Sequence, residues 1–167
     1  MTRANFKQTL DDLQKALERQ ALEILATDVA DTVKVVEAKH VQTDVYDKYN
    51  PRVYERREYL GGLKDPDNLK VYKSKRANGW IGIEVVNETV SAIGNSKGKF
   101  ISDIVEFGHD YGMEVLGYGY DFPNGIYGWE YTQPRPFIEN TINELERTEI
   151  HAVAMKQGLQ RLGYETK

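Results

Sequence analysis

A chain of 167 residues, 40% apolar and 29% charged, is sized for one domain and holds enough apolar matter for one modest core. Its formal net charge of -4 counts against a dedicated nucleic-acid binder. It has no cysteine, which excludes disulfides and thiolate metal sites and suits a reducing cytosol.

The opening MTRANFKQTLDDLQKALERQ lacks the apolar core of a signal peptide. No window approaches the ~18 apolar residues of a membrane span. The expectation is a soluble protein that is not exported by the usual signal. Phe6, Leu10, Leu13, Leu17, Ala21 and Ile24 step by fours and threes, which places them on one helix face. Val29, Val33 and Val36 carry a similar stripe onward after a slip near Asp28. An unbroken helix from about Ala4 to Lys39 would be roughly 54 Å long at ~1.5 Å per residue. Three readings stay open: a kink at the slip, one half of the helix packing against a neighbouring subunit, or an ordinary core helix that ends early.

Residues 43–69 read as a Tyr/Arg-rich arm. Pro51, Gly61, Gly62 and Pro66 punctuate it, and Tyr46, Tyr49, Tyr54 and Tyr59 alternate with Lys48, Arg52, Arg56 and Arg57. The β portion follows over 69–93. A short strand is expected at Leu69–Tyr72, a stronger one at Trp80–Val86 and a third at Thr89–Ile93, the last two joined at Asn87-Glu88. A short helix fits Phe100–Phe107. Residues 108–135 are a Gly/Tyr-rich insert that reads as loop or hairpin. The last element is a helix over 136–163, with Pro136 at its first position and Gly163 as its stop. Helices at both ends covering one face of a small, mostly antiparallel sheet give an α+β fold, read here as a single domain over 1–167.

Candidate chemistry is thin. The three histidines, His40, His109 and His151, lie far apart, and none has a partner at metal-ligand spacing. Glu106 and His109 could form a carboxylate–histidine pair, but no nucleophile accompanies them. Gly94–Lys99 is one residue short of a phosphate loop, with Phe100 where Ser or Thr is needed. Gly125-Ile126-Tyr127 opens like the GIY-YIG nuclease signature and then departs from it. No pair of carboxylates stands out as an acid/base couple. The expectation is a non-enzyme with no catalytic residue, metal or cofactor.

The tyrosines point to contact surfaces. Ten of the 11 lie between Tyr46 and Tyr131, and tyrosine with arginine in loops is interface chemistry. Candidate interface residues are Tyr46, Tyr49, Arg52, Tyr54, Arg56, Arg57, Tyr118, Tyr120, Tyr127 and Trp129. The competing reading is that these side chains pack their own loops onto the sheet. Residues 43–76 hold nine Lys/Arg against six Asp/Glu, and residues 97–135 hold three against six. A basic arm and an acidic insert on one chain suit head-to-tail contact between identical subunits, which closes into rings when the rotation permits.

Three stretches carry a family likeness. Ile104-Val105-Glu106-Phe107-Gly108 precedes the insert, and Pro134-Arg135-Pro136-Phe137 opens the last helix; Gly61-Gly62-Leu63 stands before the sheet; and Tyr46-x-x-Tyr49-x-Pro51-x-x-Tyr54-x-Arg56-Arg57 forms the arm. With them the chain resembles the tailed-phage head–tail joining, or tail-completion, family, also described as neck or minor capsid proteins. His109 stands where that family usually has Thr. The resemblance implies an α+β virion subunit that forms a hexameric or dodecameric ring between head connector and tail proteins, without catalytic residues. It makes Glu106, Gly108, Pro134, Arg135, Pro136 and Phe137 structural, with Phe137 anchoring the last helix and Glu106 capping or pairing locally. The alternative is a small non-catalytic module that binds protein or nucleic-acid backbone through residues 43–76. A metal-dependent nuclease or cell-wall hydrolase is a third class.

Overall fold

The computed structural model describes residues 3–48, 56–75, 79–91, 98, 100–108 and 133–166. The fold is α+β. A long N-terminal helical run leads to a two-stranded antiparallel sheet, and helices close the chain. The helical run consists of α1 (Arg3–Ile24), a π-helical stretch (Leu25–Val29), α2 (Ala30–His40) and a second π-helical stretch (Val41–Tyr46). The strands are β1 (Leu69–Lys75) and β2 (Ile81–Asn87), and a 3-10 turn at Pro66–Asn68 leads into β1. The remaining helices are α3 (Ser102–Phe107), α4 (Phe137–Thr148) and α5 (Ile150–Arg161).

The slip seen near Asp28 has a geometric cause. A π turn holds one more residue than an α turn, so it brings residues five apart onto one face. Ile24 to Val29 is a step of five, and so are Val36 to Val41 and Val41 to Tyr46. All five side chains are buried. The two π stretches keep the apolar stripe in phase where its spacing departs from three and four.

Three expectations change in detail. The arm begins after Tyr46 rather than at residue 43, because residues 43–46 are still helical. Of the third strand, the described residues show one antiparallel bridge, Val90 to Phe100. The C-terminal helix is interrupted at Glu149, whose φ of 51° lies in the left-handed region and cannot continue a right-handed helix. No Gly or Pro announces this break.

The chain divides into two compact units. The first comprises Met1–Thr32, Val71–Val85 and Glu149–Lys167. Within it α5 packs on α1 and the first π stretch. Gly158 makes that approach possible, since a Cβ there would collide with Ile24 Cγ2. Arg161 donates from both terminal nitrogens to Asp28 at 2.9 and 2.6 Å, and Tyr164 Oη donates to Gln20. Lys75 of β1 pairs with Glu18 of α1. Gly163, at φ +86°, ends α5, and the N–H of Tyr164 returns to the Leu159 carbonyl.

The second unit comprises Val33–Lys70 and Val86–Thr148. Its core is Val41, Val45, Tyr46, Leu63 and Phe137, with Ile101, Val105 and Ile138 packed against it. A buried polar network adjoins the core. Asn87 Nδ2 donates to Glu37 Oε1 at 2.8 Å and to the Leu63 carbonyl at 3.0 Å. Thr89 Oγ1 reaches Asn87 Oδ1 and the Gly62 carbonyl, and Ser102 Oγ donates to the Asn87 carbonyl.

Candidate interaction surface

The two halves of the C-terminal motif meet in space. Glu106, on α3, is buried, and its carboxylate accepts the backbone N–H groups of Ile138 at 2.8 Å and Glu139 at 2.9 Å. Those are first-turn donors of α4, which have no partner within their own helix. A carboxylate from 32 residues upstream thus does the work of an N-cap and meets the positive end of the helix dipole. Burial pushes the Glu106 carboxyl up, the two N–H groups draw it down, the charges of Glu139 and Asp103 add to the rise, and the net shift is upward. Beside it the Arg135 N–H donates to the Val105 carbonyl at 2.9 Å. Phe137 is fully buried in the core. Gly108 takes φ +86°, a conformation that favours glycine. The described residues on the two sides of 109–132 are thereby joined at one base, through Val105 and Arg135.

A second anchor holds the far end of α4. His40 Nδ1 lies 2.8 Å from Asp44 Oδ2, and its Nε2 lies 3.0 Å from Glu144 Oε2. Asn140 Nδ2 donates to Asp44 at 3.0 Å, and Lys39 Nζ pairs with Glu144 at 2.6 Å. Burial works to raise Asp44, but hydrogen bonds from Asn140 and His40 and the charges of His40 and Lys48 outweigh it, so its carboxyl sits below the usual range. The Lys39 hydrogen bond leads in holding Glu144 low. The two carboxylates meet opposite edges of the imidazole and do not converge on a point where an ion could sit. Among the described residues no group of three or more His, Asp and Glu is placed to hold a metal.

The arm residues that are described turn inward as well as outward. Tyr46 is 8% exposed and belongs to the core. The Arg56 guanidinium lies 4.9 Å from the centroid of its ring and Lys64 Nζ 5.8 Å; Lys64 also sits 4.4 Å from the ring centre of Tyr59. Cations over aromatic faces are held by the ring quadrupole. Arg56 Nη2 is buried, with no hydrogen-bond partner among the described residues. Arg57 Nη2 donates to the Val90 carbonyl at 2.6 Å. Tyr49, Arg52, Tyr54, Tyr118, Tyr120, Tyr127 and Trp129 lie outside the described residues, as does His109. Pro134 is exposed and Pro136 half-buried at the entry to α4.

Sequence reasoning passed over two features. The Asp44–His40–Glu144 clasp joins residues about a hundred positions apart, and only the i, i+4 spacing of His40 and Asp44 hinted at it. An open groove of about 580 Å³ in the first unit is lined by Arg19, Gln20, Glu23, Thr27, Asp28 and Arg161 among others. Asp28 and Arg161 spend their charges there on each other.

A family model for YomN matches residues 9–161. The chain belongs to the YomN family. It is similar to the SPbeta prophage-derived protein YomN of Bacillus subtilis (strain 168), at 27% identity over 161 residues, which span 95% of this chain and 97% of that protein. No solved structure matches the chain. Membership in this family makes the chain a phage-derived protein. The match takes in the Glu106–Gly108 and Pro134–Phe137 stretches together with most of α1 and all of α5.

Proposed function

We propose that this phage-derived chain is a structural virion protein of the head–tail junction. In this reading it is a neck or tail-completion subunit, made in the host cytoplasm, that closes into a homo-oligomeric ring of six or twelve copies. The ring joins the head connector to the tail proteins, with no catalytic step, metal or cofactor. The observation that carries the reading is the motif geometry: Glu106 and Phe137 lock the base of the 109–132 insert to the core through α4. A ring subunit needs such a rigid body from which to make its contacts.

Disrupting the coding sequence in the phage that carries it tests this directly. The expected outcome by electron microscopy is filled heads and finished tails that remain apart. Intact infectious particles, or a block before head filling, would overturn it. A second reading, a binding module for a polyanionic backbone, finds support in the exposed Lys70 and Lys73 on β1. It predicts DNA binding that weakens steeply with salt.

A further inference from the structure

Helix α1 carries an apolar face that its own chain leaves open. Phe6 is 55% exposed, Leu10 48%, Leu13 56% and Leu17 41%. A lone exposed leucine means little, but a contiguous apolar patch marks an interaction site. The four follow the four-three-four spacing of a coiled-coil seam. Their neighbours are as informative. From residue 9 onward Thr9, Gln14, Ala16, Gln20 and Ala21 flank the seam, and none is charged; Lys7 flanks it at its N-terminal end, beside Phe6. Between residues 8 and 21 every charged residue, Asp11, Asp12, Lys15, Glu18 and Arg19, lies more than about 100° away around the helix, at ~3.6 residues per turn. The chain already uses that polar side, since Glu18 accepts from Gln14 and pairs with Lys75.

We infer that α1 pairs with α1 of a second copy of this chain along this seam. Two identical helices bring like residues close, so a charged flank would repel its own image; from Thr9 to Ala21 the flanks carry no charge, and self-pairing meets that penalty at most at Lys7, at the end of the seam. A partner of opposite charge would call for a run of charged flank residues, and Lys7 stands alone. The size of the face sets the strength. Four side chains, each about half open, offer roughly 80–100 Å² apiece, or roughly 700 Å² for a pair of copies. The uncharged flanks bring the total toward the ~1,200 Å² at which specific interfaces begin. Pairing through α1 alone is therefore reversible and concentration-dependent. The inference deepens the self-association part of the proposed function and does not depend on a place at the head–tail junction.

Sedimentation velocity of the full chain between about 1 and 100 μM is the test. The expected result is an average mass that rises with concentration. Leu10→Glu/Leu13→Glu should weaken association at least tenfold with far-UV circular dichroism unchanged, while Lys15→Glu leaves it as it is. Because the chain has no cysteine, a Leu10→Cys/Leu13→Cys variant gives an independent reading. Under mild oxidation it should form covalent dimers for either helix direction, and Gln8→Cys/Lys15→Cys on the opposite side should not. If the Glu variant loses helix, the cysteine pairs decide. A wild type monomeric throughout, or equal cross-linking from both faces, would overturn the inference. So would association that survives Leu10→Glu/Leu13→Glu in a folded chain, and that result would leave the ring reading standing on other contacts.

Discussion

Glu37 is the residue on which solution pH acts most plainly. It is buried, its hydrogen-bond partner is the neutral Asn87 amide, and no cation among the described residues is paired with it. Burial pushes its carboxyl up to about 6, and the Glu106 charge adds to the rise. A folded-state value above the unfolded one means that the folded chain binds more protons, so stability falls as pH rises between the two. The window runs from the ordinary glutamate value of 4.5 to about 6, and the size is about 2 kcal/mol at ~1.4 kcal/mol per pH unit. Glu37→Gln removes this titration. Urea unfolding of both proteins at pH 4.5 and pH 7 should show the variant gaining about 2 kcal/mol on the wild type as pH rises. A gap that stays constant would mean that Glu37 does not titrate in that window. At this scale the sequence announced Phe137, Glu106 and Gly108 as a motif but not their partners. Glu106 caps a helix that begins 31 residues later, and such pairing is set by tertiary approach rather than by any local pattern. Tyr46 was legible only as an aromatic in a Tyr/Arg run; its place in the core follows from the π turn that rotates it inward.

Among the elements, the long N-terminal helix, both strands, the short α3 and the C-terminal helical region were all readable from period and composition. The slip near Asp28 was visible as a step of five, and the π stretch is its structural form. The break at Glu149 was not readable, because its neighbours all favour helix and only the backbone angle betrays it. The contact between α5 and α1 yields a prediction with a reversed sign. Gly to Ala inside a helix ordinarily stabilises by roughly 0.5–1 kcal/mol. At Gly158 the added methyl meets Ile24, itself buried, with Asp28 Oδ2 at 3.3 Å. Overpacking of that kind costs typically 1–3 kcal/mol. Gly158→Ala should therefore lower the thermal midpoint, by calorimetry, rather than raise it. A higher midpoint would show that α5 can shift without loss.

At the scale of the molecule, the proposed role asks the chain to present surfaces rather than to enclose chemistry. Among the described residues the acids and cations are paired with one another, cap a helix, bond neutral partners as Glu37 and Lys64 do, or lie on the surface, and no helix is long and apolar enough to cross a membrane. The α+β class and the phage origin were both legible, the first from periodicity and the second from the Glu106–Gly108 and Pro134–Phe137 stretches. The open face of α1 was legible as a stripe but not as an exposed one, because periodicity marks a face without saying what covers it. The central claim is that this chain is a building block of the particle. Counting its copies in purified virions, by quantitative mass spectrometry against the major capsid protein, tests that most directly. Six or twelve copies per particle is the predicted result, and absence from purified particles would contradict it.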